Sequence, residues 1–353
     1  MTTALPRDFS YAKGAALEVS AFGDAREQWE SLSHENHAAS LFHRPRWLDL
    51  LCRAYGYDLS VALLRSGPQL LAGCVMAHVR TPFAHRLVAL PFSDRCEPLA
   101  CNEQTIQTLL ATLAVDPRIR TCEIRGAAAS WPWTVVECFQ NWELRVSSQA
   151  SRLYQQLATN FRRNVVRARR SGVRIEHGCD QSILSRFCQI HFESRRHQGV
   201  PAQPASFFRL VHEIFAPSGD LDVWIASYRG SDLAAVLTLR DRDRVYYKWS
   251  ARSKVEIPGA GHLLTWSIVE TIATTARVLD LGRTDLRNHG LNRYKRELGA
   301  VAYPLPYSFF PRAPRQISPE VLSGWRSLAA SAWRRMPRNV CQMVGGTIYR
   351  YLS

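Results

Sequence analysis

A glycine-containing turn in the second half of the sequence combines residue types that can bind an anion. Pro258-Gly259-Ala260-Gly261 stands between a predicted strand and a predicted helix that begins at His262. Glycines allow backbone N–H groups to approach a ligand closely, and the first turn of a helix adds partial positive charge. Gly259, Ala260, Gly261 and His262 are therefore candidates for holding a diphosphate group. A tight turn without a ligand explains the same residues.

Charged residues follow the next predicted strand, Val278 to Leu281. Asp285 can accept a proton from an amine or hydroxyl nucleophile, and Lys295 can stabilise negative charge that develops on a carbonyl oxygen. Lys295 is notable because the chain has only four lysines among its 45 basic residues. Arg283 and Tyr294 accompany them as candidate substrate-binding residues. The alternative is a surface network of arginines and aspartates.

A basic segment precedes these motifs, at residues 161–170. Arg163, Arg167 and Arg170 are spaced i, i+4, i+7, so a helix places them on one face, where they can converge on phosphates. Such a run is also typical of a solvated helix face. No DNA- or RNA-binding motif accompanies it, so DNA is not expected as a partner.

An aromatic segment lies on the third strand of a predicted meander. In a regular strand, alternation sends Tyr247 and Trp249 to one face and Tyr246 and Lys248 to the other. One pair is expected in the core, and the other is expected to line a substrate groove. Tyr247 is a candidate catalytic residue and Trp249 a candidate substrate-binding residue.

Several enzyme classes lack support in the sequence. There is no nucleophile elbow, Walker loop or zinc motif, and the histidines do not have metal-ligand spacing, so no metal is predicted. The nine cysteines occur singly, which is typical of a reducing compartment. We find no signal peptide and no apolar segment long enough to span a membrane, so we predict a cytoplasmic protein.

The overall composition indicates a soluble protein with two domains and an anionic partner. A length of 353 residues exceeds the usual size of one core, and the 46% hydrophobic content is ordinary. The net charge of +15 favours an anionic partner, such as nucleic acid, a phosphorylated substrate or an acidic membrane. Because nearly all of the charge is arginine, GC-rich coding is an alternative explanation.

The order of predicted elements in the second half indicates an α+β fold. We predict a basic helix over 152–170, helices over 182–197 and 205–215, a three-stranded meander over 222–251, and a helix over 262–276. A strand over 278–281, a helix over 291–298 and a strand over 301–310 complete it. The first half shows a similar order of strands and helices without a detectable sequence repeat.

The motifs together resemble those of FemAB-like acyltransferases of the GCN5-related N-acetyltransferase (GNAT) superfamily, including members that act in cellulose and exopolysaccharide biosynthesis. Residues 161–173, FRRNVVRARRSGV, are similar to the family's R-R-x-I-R-x-A-x-x-x-G-V helix. Residues 282–284, GRT, and 290–300, GLNRYKRELGA, resemble its GR…G…FK…GA segment. The LPF loop at 90–92 and the WRRMP segment at 333–337 also resemble segments of these acyltransferases.

This resemblance implies an α/β sandwich of two tandem GNAT-like half-domains, with mixed, mostly antiparallel sheets flanked by helices. The implied domains are residues 1–148, an acyltransferase domain at 149–312 that carries the active site, and a basic amphipathic tail at 313–353. Lys295 matches a family lysine that contacts substrate near the transfer site, and Tyr294 replaces the usual Phe. The chain lacks the charged coiled-coil insertion of members that use tRNA, which favours a thioester donor.

The expected reaction is direct transfer of an acyl group, with acetyl as the first candidate, from acetyl-CoA or another acyl-CoA. The expected acceptor is an amine or hydroxyl of a bacterial exopolysaccharide or cell-envelope precursor. One alternative is transfer of an aminoacyl group from aminoacyl-tRNA to a peptide or peptidoglycan precursor. Another is a non-catalytic component of polysaccharide assembly, held at the inner face of an anionic membrane by residues 313–353.

Overall fold

Groups of strands and helices follow one another along the chain in a computed structural model that describes residues 15–81, 84–314, 330–331, 333–337 and 340–341. Internal contacts divide the chain into two units: Met1–Glu137 with Pro306–Arg315, and Cys138–Leu305 with Gln316–Ser353. The first division falls after residue 137, whereas the predicted domains change at residue 148. The tail predicted at 313–353 lies mostly outside the described residues.

The first unit contains one antiparallel sheet with a single parallel pair. Its strands are β1 (Ala15–Ala21), β2 (Leu59–Ser66), β3 (Gln69–Thr81), β4 (Ala84–Val88), β5 (Leu99–Ala100) and β6 (Cys122–Arg125). Its helices are α1 (Arg26–Glu35), α2 (Pro45–Tyr55) and α3 (Glu103–Val115). The strands lie in the order β1-β2-β3-β4-β6, with β5 paired to β3 and β4 parallel to β6. Proline at the first position of α2 and Gly56 in the left-handed region after it set the two ends of that helix.

The second unit has a longer sheet with helices on it. Its strands are β7 (Thr134–Arg145), β8 (Arg174–Gly178), β9 (Leu221–Tyr228), β10 (Ser231–Asp241), β11 (Arg244–Arg252), β12 (Val278–Asp285) and β13 (Val301–Phe310), where β7 begins and β13 ends in the first unit. Its helices are α4 (Ala150–Gln156), α5 (Thr159–Arg170), α6 (Gln181–Gln198), α7 (Ala205–Phe215), α8 (Ala260–Ile272) and α9 (His289–Glu297). The strand order is β7-β12-β11-β10-β9-β8, and among these described strands the β11–β12 pair is the one that is parallel.

The predicted fold class is confirmed: the chain is a mixed α/β protein with a mostly antiparallel open sheet flanked by helices. Helix α7 and strand β13 have the limits that the sequence predicted. No helix in the described ranges combines the length and apolar character that crossing a membrane requires.

Three of the differences between predicted and observed elements have a structural cause. The single helix expected over 152–170 is interrupted at Leu157 and Ala158, because the Ala158 N–H bonds to the Glu297 carbonyl instead of continuing a helix. The strand expected to end at Leu281 continues to Asp285, since β7 pairs with it along its whole length. Strand β8 was not predicted; its alternation is weak because the strand is mostly exposed.

The expected alternation along β11 is wrong at its centre. Thr238 of β10 pairs with Tyr247, whereas the preceding residue, Leu237, pairs with Trp249, so Lys248 is an extra residue that forms a bulge. Because the bulge shifts the phase of the strand, Tyr247 packs on the core beneath α8. Trp249 instead contacts the rings of Phe207 and Phe208 on α7. The two residues therefore face different helices.

Helices α5 and α8 pack together through a glycine contact. Phe161, Val165 and Ala168 of α5 share a buried core with the apolar face of α8. Gly259, which precedes α8, has a φ of +87° and lies directly against the Asn164 carbonyl. A Cβ atom at this position would overlap that carbonyl group. The approach of the two helices therefore requires glycine at position 259 for steric as well as conformational reasons.

We expect Gly259→Ala to destabilise the protein by more than its unfavourable φ explains. The matched control is Gly230→Ala, because Gly230 has a φ of +80° and nothing within 4 Å of the added methyl group. Both variants should lose about 1 kcal/mol from backbone strain, and Gly259→Ala should lose roughly 1–3 kcal/mol more from the steric clash. Urea denaturation measures both. Equal losses would contradict the close contact with Asn164.

A buried histidine of α6 makes the protein sensitive to acid. His191 is 4% exposed, neither ring nitrogen has a hydrogen-bond partner, and it stacks on Phe187 and contacts Phe208 edge-on. Burial, with a contribution from Arg195, lowers the pKa of His191 from 6.5 to about 3. The unfolded chain therefore binds a proton that the folded protein does not, so stability falls as the pH drops from 6.5 towards 3.

We expect His191→Phe to remove this part of the acid sensitivity while preserving a ring at the site. Between pH 8 and pH 5 the wild-type protein should lose about 2 kcal/mol through this one imidazole. The free energy of unfolding of the variant should fall by about that much less over the same pH range, as measured by urea unfolding at each pH. His289→Phe, at an exposed position, is the control and should leave the pH dependence unchanged. An identical pH profile for His191→Phe and wild type would show that His191 is not buried in its neutral form.

Candidate active site

Three hydroxyl groups meet beside the start of α8. The Tyr294 hydroxyl of α9 donates to Thr265 Oγ1 at 2.8 Å and lies 3.2 Å from the Gly261 carbonyl oxygen. The Tyr247 hydroxyl of β11 lies 3.4 Å from the same Thr265 oxygen. Burial raises the pKa of both phenols, so both are neutral at physiological pH and can act as hydrogen-bond donors.

The N-terminus of α8 presents unpaired donors. Within the part of the chain that the structure describes, the backbone N–H groups of Gly261 and His262 have no hydrogen-bond partner. The Arg252 guanidinium at the end of β11 lies beside them, since a Cβ on Gly261 would be 3.5 Å from its Nη2. This guanidinium makes no hydrogen bond or ion pair with another described residue. Two amides, a helix N-terminus and one arginine therefore direct donors and positive charge to one surface, an arrangement that suits an anion.

The imidazole of His262 is held by aromatic neighbours. Its ring contacts Phe161 at a centroid distance of 4.7 Å and Tyr294 at 5.1 Å, and its Nε2 lies 3.5 Å from Asn164 Nδ2. Burial, together with the charge of Arg252, lowers the pKa of His262. The side chain is therefore neutral at pH 7 and contributes packing and a hydrogen-bonding nitrogen rather than a positive charge.

Strands β11 and β12 separate beside this surface. Their parallel pairing covers only Arg244 to Tyr246 and Val278 to Asp280. Beyond that point each strand keeps its other neighbour, β10 for β11 and β7 for β12. The sheet therefore opens between Tyr247 on one side and the Gly282 segment on the other, and this opening can admit an extended ligand.

Lys295 connects α9 to the β12 side of the opening. Its side chain is 5% exposed, and Nζ donates to the Gly282 carbonyl at 2.9 Å and to Thr284 Oγ1 at 2.6 Å. Gly282 adopts a φ of +71°, and its N–H bonds to Asp280 Oδ1 at 2.9 Å, which turns its carbonyl out of the regular ladder. Lys295 thus has a structural role that the sequence did not suggest, and its predicted catalytic role stays a prediction.

Asp285 and Arg283 are placed at the end of β12. The Asp285 carboxylate is buried and accepts hydrogen bonds from the backbone and guanidinium of Arg287, at 2.8 Å and 3.2 Å. Arg283 lies over the ring of Phe139, 4.4 Å from its centroid. Neither contact reaches the three hydroxyl groups, so the functional roles predicted for both residues remain untested.

The structure thus brings together only some of the site residues that the sequence analysis predicted. Tyr247, Tyr294, Gly261 and His262 converge at the start of α8, where Gly259 and Ala260 begin the helix. Trp249 faces α7, and the predicted arginines Arg163 and Arg167 are exposed on α5.

Two residues at this site, Arg252 and Thr265, were not singled out from the sequence. An arginine that ends a strand just before a Gly-rich turn is the signal that could have identified Arg252. No comparable signal marks Thr265, because only its burial beneath the two tyrosines gives it a role. Among the described residues, no group of three or more His, Cys, Asp or Glu side chains is placed to hold a metal ion.

Comparisons with known proteins agree on the nature of this part of the chain. Residues 155–296 match the family model described as an acetyltransferase (GNAT) domain. This segment includes α5 and α8, the hydroxyl cluster and Lys295. No curated protein matches the sequence.

Solved structures show the same fold at low sequence identity. The crystal structure of FemX has a TM-score of 0.61 and 11% identity, covering 80% of this chain and 95% of that chain. The structure of L-PGS from Bacillus licheniformis has a TM-score of 0.53 and 11% identity, covering 88% of this chain and 97% of that chain. At this identity the likeness establishes the fold and not the substrate.

We expect Lys295→Met to lower stability, because the buried Gly282 carbonyl and Thr284 hydroxyl lose a charged donor while the alkyl packing is retained. The expected loss is about 2 kcal/mol. Lys254→Met is the matched control, since Lys254 is exposed, and it should change stability by less than about 0.5 kcal/mol. Urea midpoints measure both. If Lys295→Met is as stable as the control, Lys295 does not contribute to holding α9 on β12.

The features described above lie in the segment that the family model matches. A helix start with unpaired amides, two partly buried neutral phenols and an opened sheet lie within or beside residues 155–296. Residues 155–296 thus match an acetyltransferase (GNAT) domain, and the chain is an acyltransferase enzyme.

Proposed function

We propose that this enzyme takes an acyl group, in the first instance acetyl, from an acyl-CoA thioester. The observation that carries the proposal is the anion-binding surface formed by the Gly261 and His262 amides and the Arg252 guanidinium. The pyrophosphate of coenzyme A matches this surface because its oxygens can accept from adjacent backbone amides at a helix N-terminus. Arginine supplies a planar pair of donors for the same group.

The rest of the donor fits the opening between β11 and β12. The pantetheine arm of coenzyme A is extended and contains two amide groups, which can pair with a strand that lacks a neighbour on one side. Strand β11 has such a side beyond Tyr246. The bulge at Lys248 also disrupts the ladder there, as bulges beside active sites often do. An arm that enters along β11 leads from the start of α8 towards the hydroxyl cluster.

Transfer is direct and needs no covalent enzyme intermediate. The acceptor amine or hydroxyl attacks the thioester carbonyl, its proton passes to solvent, and the carbon–sulfur bond breaks to give the acylated acceptor and the thiolate of coenzyme A. A partly buried neutral phenol donates a proton to this thiolate and regains one from solvent, so the products are the acylated acceptor and free coenzyme A. Tyr294 and Tyr247 are the candidates, because their hydroxyl groups share Thr265 and burial raises both pKa values. Much of the rate then comes from holding donor and acceptor together.

The proposed acceptor is a hydroxyl or amine of a saccharide in an exopolysaccharide or cell-envelope precursor. The support for this acceptor class is the resemblance of the motifs at residues 161–173 and 282–300 to those of acyltransferases that act in cellulose and exopolysaccharide biosynthesis.

Calorimetric titration with coenzyme A and with bulk tRNA distinguishes the two donors. We expect saturable binding of coenzyme A, weakened about tenfold in Arg252→Ala because one charge-assisted contact is lost. Arg174→Ala removes an exposed arginine from the edge strand β8 and should bind as wild type does. Binding of tRNA without binding of coenzyme A would replace the thioester donor by an aminoacyl-tRNA. Equal effects of the two substitutions would reject the site at α8.

A further inference from the structure

A basic groove runs along the outer face of α5. It has a volume of 840 Å³ and contains no acidic residue in its lining. The lining residues are Tyr154, Thr159, Asn160, Arg162, Arg163, Asn164, Val166, Arg167, Arg170 and Ser171. Four guanidinium groups and no carboxylate therefore border one concave surface.

None of these four arginines is neutralised within the described part of the chain. Arg162, Arg163, Arg167 and Arg170 make no ion pair or side-chain hydrogen bond there. Arg169 of the same helix differs, because its guanidinium lies 2.9 Å from a Glu270 oxygen of α8. Like charges at i, i+3 and i, i+4 repel each other and lower the stability of a helix. An anion bound in the groove would neutralise this repulsion and restore the lost stability.

The groove begins at the proposed donor site. Asn164 lines it and also lies 3.5 Å from the His262 ring, and its carbonyl rests against Gly259 at the start of α8. From Asn164 to Ser171, α5 advances about 10 Å at 1.5 Å per residue. A group attached to the pyrophosphate by a short linker therefore reaches Arg163 and Arg167 without leaving the surface.

We propose that this groove binds the 3′-phosphoadenosine end of coenzyme A, an inference that rests on the thioester donor proposed above. The 3′-phosphate is a separate anion carried on the ribose, a few bonds from the pyrophosphate, and arginine pairs bind such groups with two parallel hydrogen bonds. Tyr154, whose ring lies 5.0 Å from that of Trp266, is partly buried and lines the groove, where it supplies an aromatic surface for the adenine. The length of the groove suits one nucleotide rather than the longer backbone track of a nucleic acid.

The experiment compares coenzyme A with 3′-dephospho-coenzyme A, which lacks only the phosphate in question. Calorimetric titrations use the full chain in three forms: wild type, Arg163→Ala/Arg167→Ala, and the control Arg169→Ala/Arg174→Ala, which removes the same charge outside the groove. We expect wild type and control to bind coenzyme A about 10- to 100-fold more tightly than the dephospho form. The groove variant should bind both compounds equally, with the affinity that wild type has for the dephospho form.

Each other outcome rejects a defined part of this inference. If wild type binds the two compounds equally, or if the groove variant still binds coenzyme A more tightly than the dephospho form, the groove does not bind the 3′-phosphate. In that case only the donor proposal stands. If neither compound binds to wild type, the thioester donor and the subsite are both rejected. Circular dichroism of the three forms identifies a variant that has failed to fold, in which case Arg163→Gln/Arg167→Gln repeats the comparison.

Discussion

The contact between Gly259 and the Asn164 carbonyl sets the geometry on which the proposed site depends. Only a residue without a side chain allows α8 to begin this close to α5. The same contact places Phe161 against His262 and Tyr294, and it puts the basic face of α5 beside the free amides of α8. An anion-binding helix start and an arginine groove thus become neighbours through packing, although they are about 100 residues apart in sequence.

A second constraint is the way in which β11 leaves the regular sheet. Its bulge at Lys248 and its early separation from β12 give the strand one full partner and one open side. Tyr247 is thereby turned under α8, where its hydroxyl shares Thr265 with Tyr294. The buried ammonium of Lys295 holds the opposite side of the opening by bonding β12. Irregular pairing is costly, and here hydrogen bonds from helix α9 offset part of that cost.

The groove and the α8 surface differ in how rigidly their hydrogen-bond donors are held. The amides of Gly261 and His262 are fixed by the helix itself, so their direction does not depend on side-chain rotamers. Arg163, Arg167 and Arg170 of α5 are exposed and carry long side chains, so ordering them on a ligand costs conformational entropy. Rigid donors for the pyrophosphate and adaptable donors for a more distant phosphate suit a ligand whose two ends need different degrees of positioning.

The sequence by itself determined the α+β fold, the order of most elements and the limits of α7 and β13, because periodicity, caps and turn residues act over a few neighbouring positions. It did not reveal the extra residue in β11, since a bulge depends on pairing with β10, and so it misplaced Trp249. It also gave Lys295 a catalytic role without showing its bonds to Gly282 and Thr284, and it passed over Arg252 and Thr265. These features arise where distant strands and helices meet, and only the tertiary structure decides which groups are close enough to interact.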